Sequence, residues 1–414
     1  MIIELRAKNC FSFYDPITFS MKADMRSKKF ISNVYQENYF NILKTAGIYG
    51  PNNVGKTCLI KCFKVIKAIL LNEKNDIIPN LFHNNRICEL GITFLWEGRE
   101  FSYDFHYDVK KEEYPYERFS EMEKDQYGNI KEQIWMLKDS ENEQYEFLDQ
   151  KLFEIIQIIS KSNLLVYTVD VDKFKYLALM KKIISGFASN IDIVNMNNIP
   201  MERTINLLKN KNDLQKKVVK FIKNADLYMD DFEYMDIDKM SFENIDGKPE
   251  EKALDIPDQV MDQIRLVSVY KGVAVPSLLF DSTGTKKIAA LASYIIESLE
   301  KGRILIVDEL DSSIHFKLTR AIVTMFNNEL NENAQLIFTV HDINLMDCKR
   351  IFRKEQIWFI HKDAERVYVY SLSEFTAQKG IRDTTDIMEK YRKGVLGALP
   401  DPDLIQTLLN IKKN

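Results

Sequence analysis

The stretch Gly50-Pro51-Asn52-Asn53-Val54-Gly55-Lys56-Thr57 has the spacing G-x-x-x-x-G-K-T of a phosphate-binding loop. The glycines of such a loop let backbone N–H groups converge on phosphate oxygens at the start of a helix. Lys56 is expected to reach the terminal phosphates, and Thr57 is expected to ligate Mg²⁺. Seven residues of the phosphate loop, residues 50–58, are predicted to contact ATP: Gly50, Asn52, Asn53, Gly55, Lys56, Thr57 and Cys58.

The residues on either side of the phosphate loop fit this interpretation. Residues 45–49 form a short apolar run that is typical of a strand, and residues 57–71 carry apolar side chains at helical spacing. A strand, a loop and a helix in this order are the context that the motif requires.

A second apolar strand ends in two carboxylates, in the sequence Ile304-Leu305-Ile306-Val307-Asp308-Glu309. Asp308 is expected to hold Mg²⁺, directly or through water, and Glu309 is expected to orient or polarise the attacking water. The alternative is a buried strand that merely ends in two solvated acids. The phosphate loop favours the catalytic interpretation, because each half of such a site needs the other.

The composition is that of a folded protein. The chain has 414 residues, of which 45% are hydrophobic and 29% are charged. This is too apolar for a disordered chain, and the length allows two or three domains or one domain with a large insertion. The net charge of -4 gives no global attraction to nucleic acid, although the 57 Lys and Arg residues could cluster on one face.

The cysteines and the apolar runs bear on where the protein acts. The five cysteines are odd in number and form no C-x-x-C pair, which argues against a zinc site and against a disulfide framework. No charged segment followed by a long apolar run opens the chain, and its longest apolar stretches are too short for a membrane helix. We therefore expect reduced thiols, a cytoplasmic location and no membrane partner.

The sequence pattern divides the chain into three predicted regions. Residues 1–110 form an N-terminal lobe with the phosphate loop and a β-hairpin at residues 88–107. Residues 111–260 are interpreted as a mainly helical insertion, and strands and helices alternate in a C-terminal lobe over residues 261–414. This alternation predicts an α/β fold with a largely parallel core sheet. Helical periodicity appears in three stretches of the insertion, at residues 148–160, 173–187 and 201–228.

Two further segments of the C-terminal lobe carry polar groups suited to phosphate. Asp281-Ser282-Thr283-Gly284-Thr285-Lys286-Lys287 is a hydroxyl-rich turn at a predicted helix start, which is an anion-binding arrangement. Alone it could equally be an ordinary capped helix N-terminus. Gln335-Leu336-Ile337-Phe338-Thr339-Val340-His341-Asp342 is an apolar strand that ends in a single histidine. A lone histidine is more often structural, so both segments depend on their position in the chain.

Taken together, these segments resemble one family. The stretch Val307-Asp308-Glu309-Leu310-Asp311-Ser312-Ser313-Ile314-His315, the Ser282-x-Gly284-Thr285 turn and Phe338-Thr339-Val340-His341-Asp342 carry the resemblance. They are similar to the ABC/SMC-like AAA-type ATPases of bacterial phage-defence and abortive-infection systems. The similarity is greatest to the RloA/AbiL type, with the ATPase subunits of PARIS and of the overcoming-lysogenization-defect (OLD) nucleases as relatives. It covers roughly residues 1–75 and 277–400.

The resemblance implies a fold and a set of roles. The fold would be an α/β, ABC-type P-loop ATPase head with an N-terminal β-rich lobe. Ser282, Gly284 and Thr285 would form a signature turn that contacts ATP held by the opposite subunit. Asp311 would lie in a D-loop at that interface. Lys56, Glu309 and His341 would be catalytic, Thr57 and Asp308 would hold Mg²⁺, and two ATP molecules would be buried in a head-to-tail homodimer.

The chain departs from the family pattern at three points. Thr283 stands where the usual signature has one of two adjacent glycines. The glutamine of the usual Q-loop cannot be located between Thr57 and Tyr107. No TOPRIM-like nuclease domain is apparent after the last predicted ATPase strand. The chain is therefore expected to be a switch whose effector, a nuclease or TOPRIM-like protein, is a separate partner.

Two other functions compete with a defence ATPase that switches on ATP. An SMC-like DNA repair or chromosome-maintenance ATPase would clamp DNA, but the acidic pI near 5.9 and the absence of a long heptad pattern argue against it. DNA-stimulated turnover with steep salt dependence would favour this alternative. A transporter motor is disfavoured, because the β-rich start and the insertion differ from a compact transporter subunit.

Overall fold

The computed structural model describes residues 1–124, 129–210, 212–225, 228–235, 258–363, 366–376, 381, 385–399, 404–405, 407 and 411. The N-terminal elements are β1 (Ile2–Lys8), β2 (Ile17–Ser20), β3 (Val34–Glu37), β4 (Phe40–Leu43), β5 (Thr45–Tyr49), α1 (Lys56–Leu70), β6 (Ile87–Trp96), β7 (Arg99–Asp108), β8 (Glu113–Lys124), β9 (Ile130–Asp139) and β10 (Gln144–Phe147). The middle elements are α2 (Leu165–Thr168), α3 (Lys175–Ser189), β11 (Ile191–Asn195), α4 (Glu202–Asn210), α5 (Asp213–Asn224) and β12 (Asp231–Tyr234). The C-terminal elements are α6 (Asp258–Ile264), β13 (Leu266–Tyr270), β14 (Val273–Pro276), α7 (Ser277–Phe280), α8 (Thr283–Lys301), β15 (Ile304–Asp308), α9 (Phe316–Asn327), β16 (Gln335–Thr339), β17 (Ile357–Asp363), β18 (Arg366–Ser371) and α10 (Ile387–Arg392).

A six-stranded sheet carries the phosphate loop. Its strand order is β11-β15-β16-β5-β17-β18, and all neighbours are parallel except β17 and β18. The three central strands are buried along their whole length and consist mainly of apolar residues, as expected for parallel strands covered on both faces. This confirms the predicted parallel core, and it brings the carboxyl ends of β5, β11, β15 and β16 to one edge.

The two faces of this sheet pack into two hydrophobic cores. Alternation along β15 directs Ile304 and Ile306 into one core and Leu305 and Val307 into the other. The first core also contains residues of α1 and α3, and the second contains residues of α8 and α9. Burial on both faces therefore fixes the register of β15, and with it the position of Asp308 at the sheet edge.

A second sheet has seven antiparallel strands in the order β10-β9-β8-β7-β6-β1-β2. The predicted hairpin at residues 88–107 is confirmed as β6 and β7, whose register pairs Ile92 with Tyr103. The helical insertion was expected to begin at residue 111, but β8, β9 and β10 extend this sheet to Phe147. The predicted start of the insertion is therefore wrong, because charged residues such as Glu117 and Lys138 lie within strands, where they pair across the sheet.

Those charged pairs include one that is buried. Lys138 on β9 contacts Glu117 on β8 at 2.5 Å, and their side chains are 3% and 0% exposed. Glu117 also accepts hydrogen bonds from Tyr103 Oη at 2.8 Å and from the backbone N–H of Leu165. A buried charge needs such partners to offset the loss of solvation. A strand of this sheet can therefore be rich in Glu and Lys and still lie in the interior.

The remainder of the middle region is helical, as predicted, in two of its three stretches. α3 matches residues 173–187, and α4 and α5 match residues 201–228, of which residues 211, 226 and 227 lie outside the described residues. Residues 148–160 form only a short 3₁₀ helix, Gln150–Glu154, and turns. Most of the last part of the predicted insertion, residues 236–257, lies outside the described residues. Within the described part of the chain, every helix is too short or too polar to span a membrane.

Candidate ATP site

The phosphate loop joins the end of β5 to the start of α1. Lys56 is buried, and its ammonium donates to the carbonyl oxygens of Gly50 at 2.5 Å and Pro51 at 2.8 Å. Burial lowers the pKa of Lys56, an effect opposed by the nearby carboxylates of Asp308, Asp311 and Glu309. The predicted phosphate-binding cation therefore lies inside the curve of its own loop, and a triphosphate would have to replace these carbonyl contacts.

Both glycines of the loop are required by its geometry. Gly50 has φ of 155°, and a Cβ atom there would lie 2.4 Å from the carbonyl oxygen of Ile360. Gly55 has φ of 119°, and a Cβ atom there would lie 2.7 Å from Ser12 Oγ. Asn53 also takes the left-handed region, with φ of 61°, which asparagine tolerates better than most residues. Asn52 and Asn53 are exposed, and Cys58 is half-buried on α1.

Thr57 and Asp308 meet at the edge of the sheet. Thr57 Oγ1 lies 3.2 Å from Asp308 Oδ2, and Thr339 Oγ1 donates to Asp308 Oδ1 at 2.6 Å. Asp308 is only 3% exposed. A carboxylate and a hydroxyl are oxygen ligands of the kind that Mg²⁺ takes, and phosphate oxygens and waters commonly complete its shell. The described residues contain no group of three or more His, Cys, Asp or Glu side chains able to hold a metal by themselves.

Glu309 has an unusual backbone that directs its side chain. Its φ is 58°, and its N–H donates to Thr339 Oγ1 at 2.7 Å. A non-glycine residue in the left-handed region is uncommon and persists only when its surroundings hold it there. Its Oε2 accepts a hydrogen bond from Asn197 Nδ2 at 2.6 Å. Within the described part of the chain, Oε1 accepts no hydrogen bond.

Asn195 and Asn197 are candidate site residues that no motif indicated. β11 pairs in parallel with β15 so that Asn195 lies opposite Asp308. Asn195 Nδ2 donates to Asp308 Oδ2 at 3.0 Å, and Asn197 holds Glu309 as described. Each carboxylate therefore receives its own asparagine amide. In the sequence, the signal for these two residues is a short strand that ends in Asn195-Met196-Asn197. The family pattern instead places a polar Q-loop glutamine between Thr57 and Tyr107.

Asp311 holds the segment that carries His341. Its Oδ2 accepts hydrogen bonds from the backbone N–H groups of His341 at 2.9 Å and Asp342 at 2.8 Å. Its other oxygen, Oδ1, is buried and has no hydrogen-bond partner among the residues that the structure describes. The His341 side chain is exposed just beyond β16, on the same sheet edge as Asp308. The predicted D-loop and histidine are thus joined within one chain.

The signature turn lies at the start of α8. Ser282 caps the helix, because its Oγ accepts a hydrogen bond from the N–H of Thr285 at 3.1 Å. A Cβ atom on Gly284 would lie 2.6 Å from the carbonyl oxygen of Ser313. The turn thus packs against the segment after Asp311 in its own chain. Ser282, Gly284 and Thr285 face His315 and Lys317 across a cavity of about 570 Å³.

Asp281 anchors the signature turn from behind. Its buried carboxylate accepts hydrogen bonds from the hydroxyl groups of Ser268 at 2.5 Å, Ser277 at 2.6 Å and Tyr270 at 2.7 Å. The sheet of β12, β13 and β14 supplies two of these donors.

The structure brings four predicted site residues together: Lys56, Thr57, Asp308 and Glu309. It places the predicted signature residues in a separate group, against Ser313.

Comparison with known proteins identifies the family. Residues 46–347, more than half of the chain, match the family described as AAA domain, putative AbiEii toxin, Type IV TA system. The chain belongs to this family. The matched region runs from β5 to the residues that follow His341, and so includes the whole candidate site. Together with the phosphate loop and the parallel sheet, membership confirms the predicted α/β fold of a P-loop ATPase head. No curated protein matches the sequence.

Solved SMC head structures are similar in outline. The SMC head domain from Thermotoga maritima is 12% identical, with a TM-score of 0.42, and the match covers 89% of this chain and 98% of that one. A second SMC head, bound to the C-winged helix domain of ScpA, is 13% identical, with a TM-score of 0.46 and coverage of 91% and 99%. A Pyrococcus furiosus Smc head with an extended coiled coil, bound to the C-terminal domain of ScpA, is 12% identical, with a TM-score of 0.41 and coverage of 94% and 99%. At these TM-scores the likeness carries no functional conclusion.

Proposed function

We propose that this chain is the ATP-binding and ATP-hydrolysing switch subunit of a bacterial phage-defence system of the RloA/AbiL type. It acts in the cytoplasm, dimerises on ATP and controls a separate effector protein. The observation that carries the proposal is the 3.2 Å contact between Thr57 Oγ1 and Asp308 Oδ2. This contact joins the phosphate loop to the carboxylate strand as an ATPase site requires. Membership in a family named for AbiEii supports the defence context.

The phosphate loop binds ATP in this proposal. Backbone N–H groups at the start of α1 point towards the phosphates, where the helix dipole favours negative charge. Lys56 leaves the carbonyl groups of Gly50 and Pro51 and binds the terminal phosphates. Thr57 and Asp308 are the residues that would hold Mg²⁺, which neutralises the phosphate charge in such sites.

Glu309 is proposed to act on the attacking water. Asn197 fixes Oε2 of its carboxylate, and Oε1 remains to accept a proton or orient the water. His341 is proposed to contact the terminal phosphate from the next strand. Asp311 positions the backbone of His341. A change at that phosphate can therefore be transmitted from His341 to the D-loop through the carboxylate of Asp311.

The location of the signature turn supports dimerisation. Gly284 packs against Ser313 of its own chain, and Ser282, Gly284 and Thr285 line an open cavity, so we propose that they serve a nucleotide held by a second copy. Their contacts with the terminal phosphate would exist only in the closed dimer. ATP then binds the dimer more tightly than the monomer, and hydrolysis removes that preference.

Two experiments test this proposal. ATP turnover and ATP-dependent dimerisation should both be lost in Lys56→Ala, which removes the cation but leaves the fold. In cells that express the chain together with its proposed effector, the same substitution should abolish protection against phage. The wild-type pair is the control. Unchanged protection with Lys56→Ala would contradict the proposal, and DNA-stimulated turnover that falls steeply with salt would favour the SMC-like alternative.

A further inference from the structure

A chain of hydrogen bonds leads from the signature helix to Glu309. Lys287, on the second turn of α8, donates to Ser312 Oγ at 3.0 Å and to Ser313 Oγ at 3.2 Å. Ser312 Oγ donates to Asn197 Oδ1 at 2.8 Å, and Asn197 Nδ2 donates to Glu309 Oε2 at 2.6 Å. Lys287 Nζ also lies 3.5 Å from Asn197 Oδ1. Four side chains from three segments therefore form one connected path.

The chemistry of these groups gives the path one direction. An ammonium group can only donate, so the Ser312 hydroxyl accepts from Lys287 and is left to donate to Asn197. The amide oxygen of Asn197 is thereby occupied, and only its N–H₂ group can face Glu309. A flipped amide would set its oxygen against the carboxylate. Lys287 thus helps to determine how Asn197 presents itself to Glu309.

The signature turn and Lys287 are parts of one rigid element. Ser282 caps α8 and Lys287 lies a little more than one turn further along the same helix. Gly284 is in close contact with Ser313, so α8 touches the segment 311–313 both at its first turn and at Lys287. Any shift of the signature turn therefore moves the ammonium group that supports Ser312 and Asn197.

We propose that Lys287 and Asn197 are positioning residues that couple the two ATP sites of a dimer. When the signature turn binds the nucleotide held by the partner, α8 moves and Lys287 moves with it. Ser312 and Asn197 then orient Glu309 in the same chain. Each subunit thus adjusts its own hydrolytic carboxylate according to the occupancy of the opposite site. This inference rests on the proposed function, because it requires the dimer and the role of Glu309.

The first test separates positioning from binding. Lys287→Met should lower kcat about tenfold to a hundredfold, while KM for ATP and ATP-dependent dimerisation change little, because Glu309 is misplaced but the nucleotide contacts remain. Lys287→Arg, which keeps a donor cation, should recover part of the rate. Lys286→Met is the matched control, because Lys286 is the neighbouring lysine and its ammonium donates to the carbonyl oxygen of Leu278. A Lys287→Met enzyme with wild-type kcat would overturn the coupling.

The second test shows which subunit the lysine serves. Mixed dimers are isolated with two affinity tags, and one subunit carries Glu309→Gln so that only the other can hydrolyse ATP. Lys287→Met in the hydrolysing subunit should slow turnover. The same substitution in the Glu309→Gln subunit should not, because its path leads to the inactive carboxylate. The reverse pattern would mean that Lys287 contacts the partner's nucleotide directly, and the coupling would be wrong.

The proposed function and the coupling fail in different ways. A wild-type chain that neither hydrolyses ATP nor dimerises removes the proposed function and the coupling together. A wild-type chain that does both, combined with a Lys287→Met variant of unchanged kcat, removes only the coupling.

Discussion

The side-chain amide of Asn195 lies 3.0 Å from Oδ2 of Asp308, the same oxygen that Thr57 Oγ1 approaches at 3.2 Å. Asn195 and Asp308 lie opposite each other in the pairing of the parallel strands β11 and β15. An amide donor on a metal-binding carboxylate orients it and fixes which lone pairs remain for a cation. Asn195 is therefore part of the candidate magnesium site.

Replacing Asn195 should weaken the response to Mg²⁺. We expect Asn195→Ala to raise the Mg²⁺ concentration needed for half-maximal ATP turnover about tenfold, because the Asp308 carboxylate loses a donor that orients it. The measurement is turnover at fixed ATP with increasing Mg²⁺. Asn198→Ala, an exposed asparagine three residues along, is the matched control. An Asn195→Ala enzyme with the wild-type Mg²⁺ dependence would show that the contact is incidental.

Local sequence patterns predict the part of the site that is formed by the phosphate loop and the carboxylate strand. The phosphate loop, β5, α1 and β15 are each contiguous runs whose apolar pattern and motif lie together in the chain. Asn195 acts on a residue 113 positions away, through a strand pairing that no local pattern contains. β8 and β9 were missed for another reason. Glu117 and Lys138 are charged residues in the interior, paired across strands, so these segments lack the apolar alternation typical of strands and fall within the predicted helical insertion of residues 111–260.

Gly284 should tolerate no side chain. A Cβ atom there would lie 2.6 Å from the backbone oxygen of Ser313, so Gly284→Ala must push α8 away from that segment. We expect a loss of about 1–3 kcal/mol in the free energy of unfolding and loss of ATP-dependent dimerisation, with ATP binding to the monomer retained. Urea unfolding measures the stability, light scattering measures the dimerisation, and nucleotide titration measures the binding of ATP. Lys286→Ala, two residues further along the same helix, is the control, because Lys286 is half-buried and donates to the carbonyl oxygen of Leu278. Equal behaviour of the two variants would argue against the close contact.

The buried Lys138–Glu117 pair should matter for stability and not for turnover. Lys138→Met removes the cation that pairs with Glu117, whose remaining partners among the described residues are Tyr103 and the backbone N–H of Leu165. Breaking such a pair costs about 3–5 kcal/mol, which urea unfolding would detect.

An exposed pair provides the comparison. Arg26 and Asp24 are in contact at 2.6 Å, with side chains 91% and 41% exposed. Arg26→Ala should leave the free energy of unfolding nearly unchanged, because water solvates both charges of this pair. The account of this sheet would be contradicted if the two substitutions had equal effects, since burial is the difference between the pairs.

The central claim is that ATP joins two copies of this chain through Glu309-dependent sites. Glu309→Gln keeps the shape of the side chain but removes the group that acts on water, so ATP should bind and remain unhydrolysed. The measurement is the mass of Glu309→Gln by light scattering after gel filtration, with and without ATP and Mg²⁺. We predict a shift from the chain mass of 48.6 kDa to twice that value on addition of ATP. A variant that stays at 48.6 kDa with ATP and retains wild-type turnover would contradict the account.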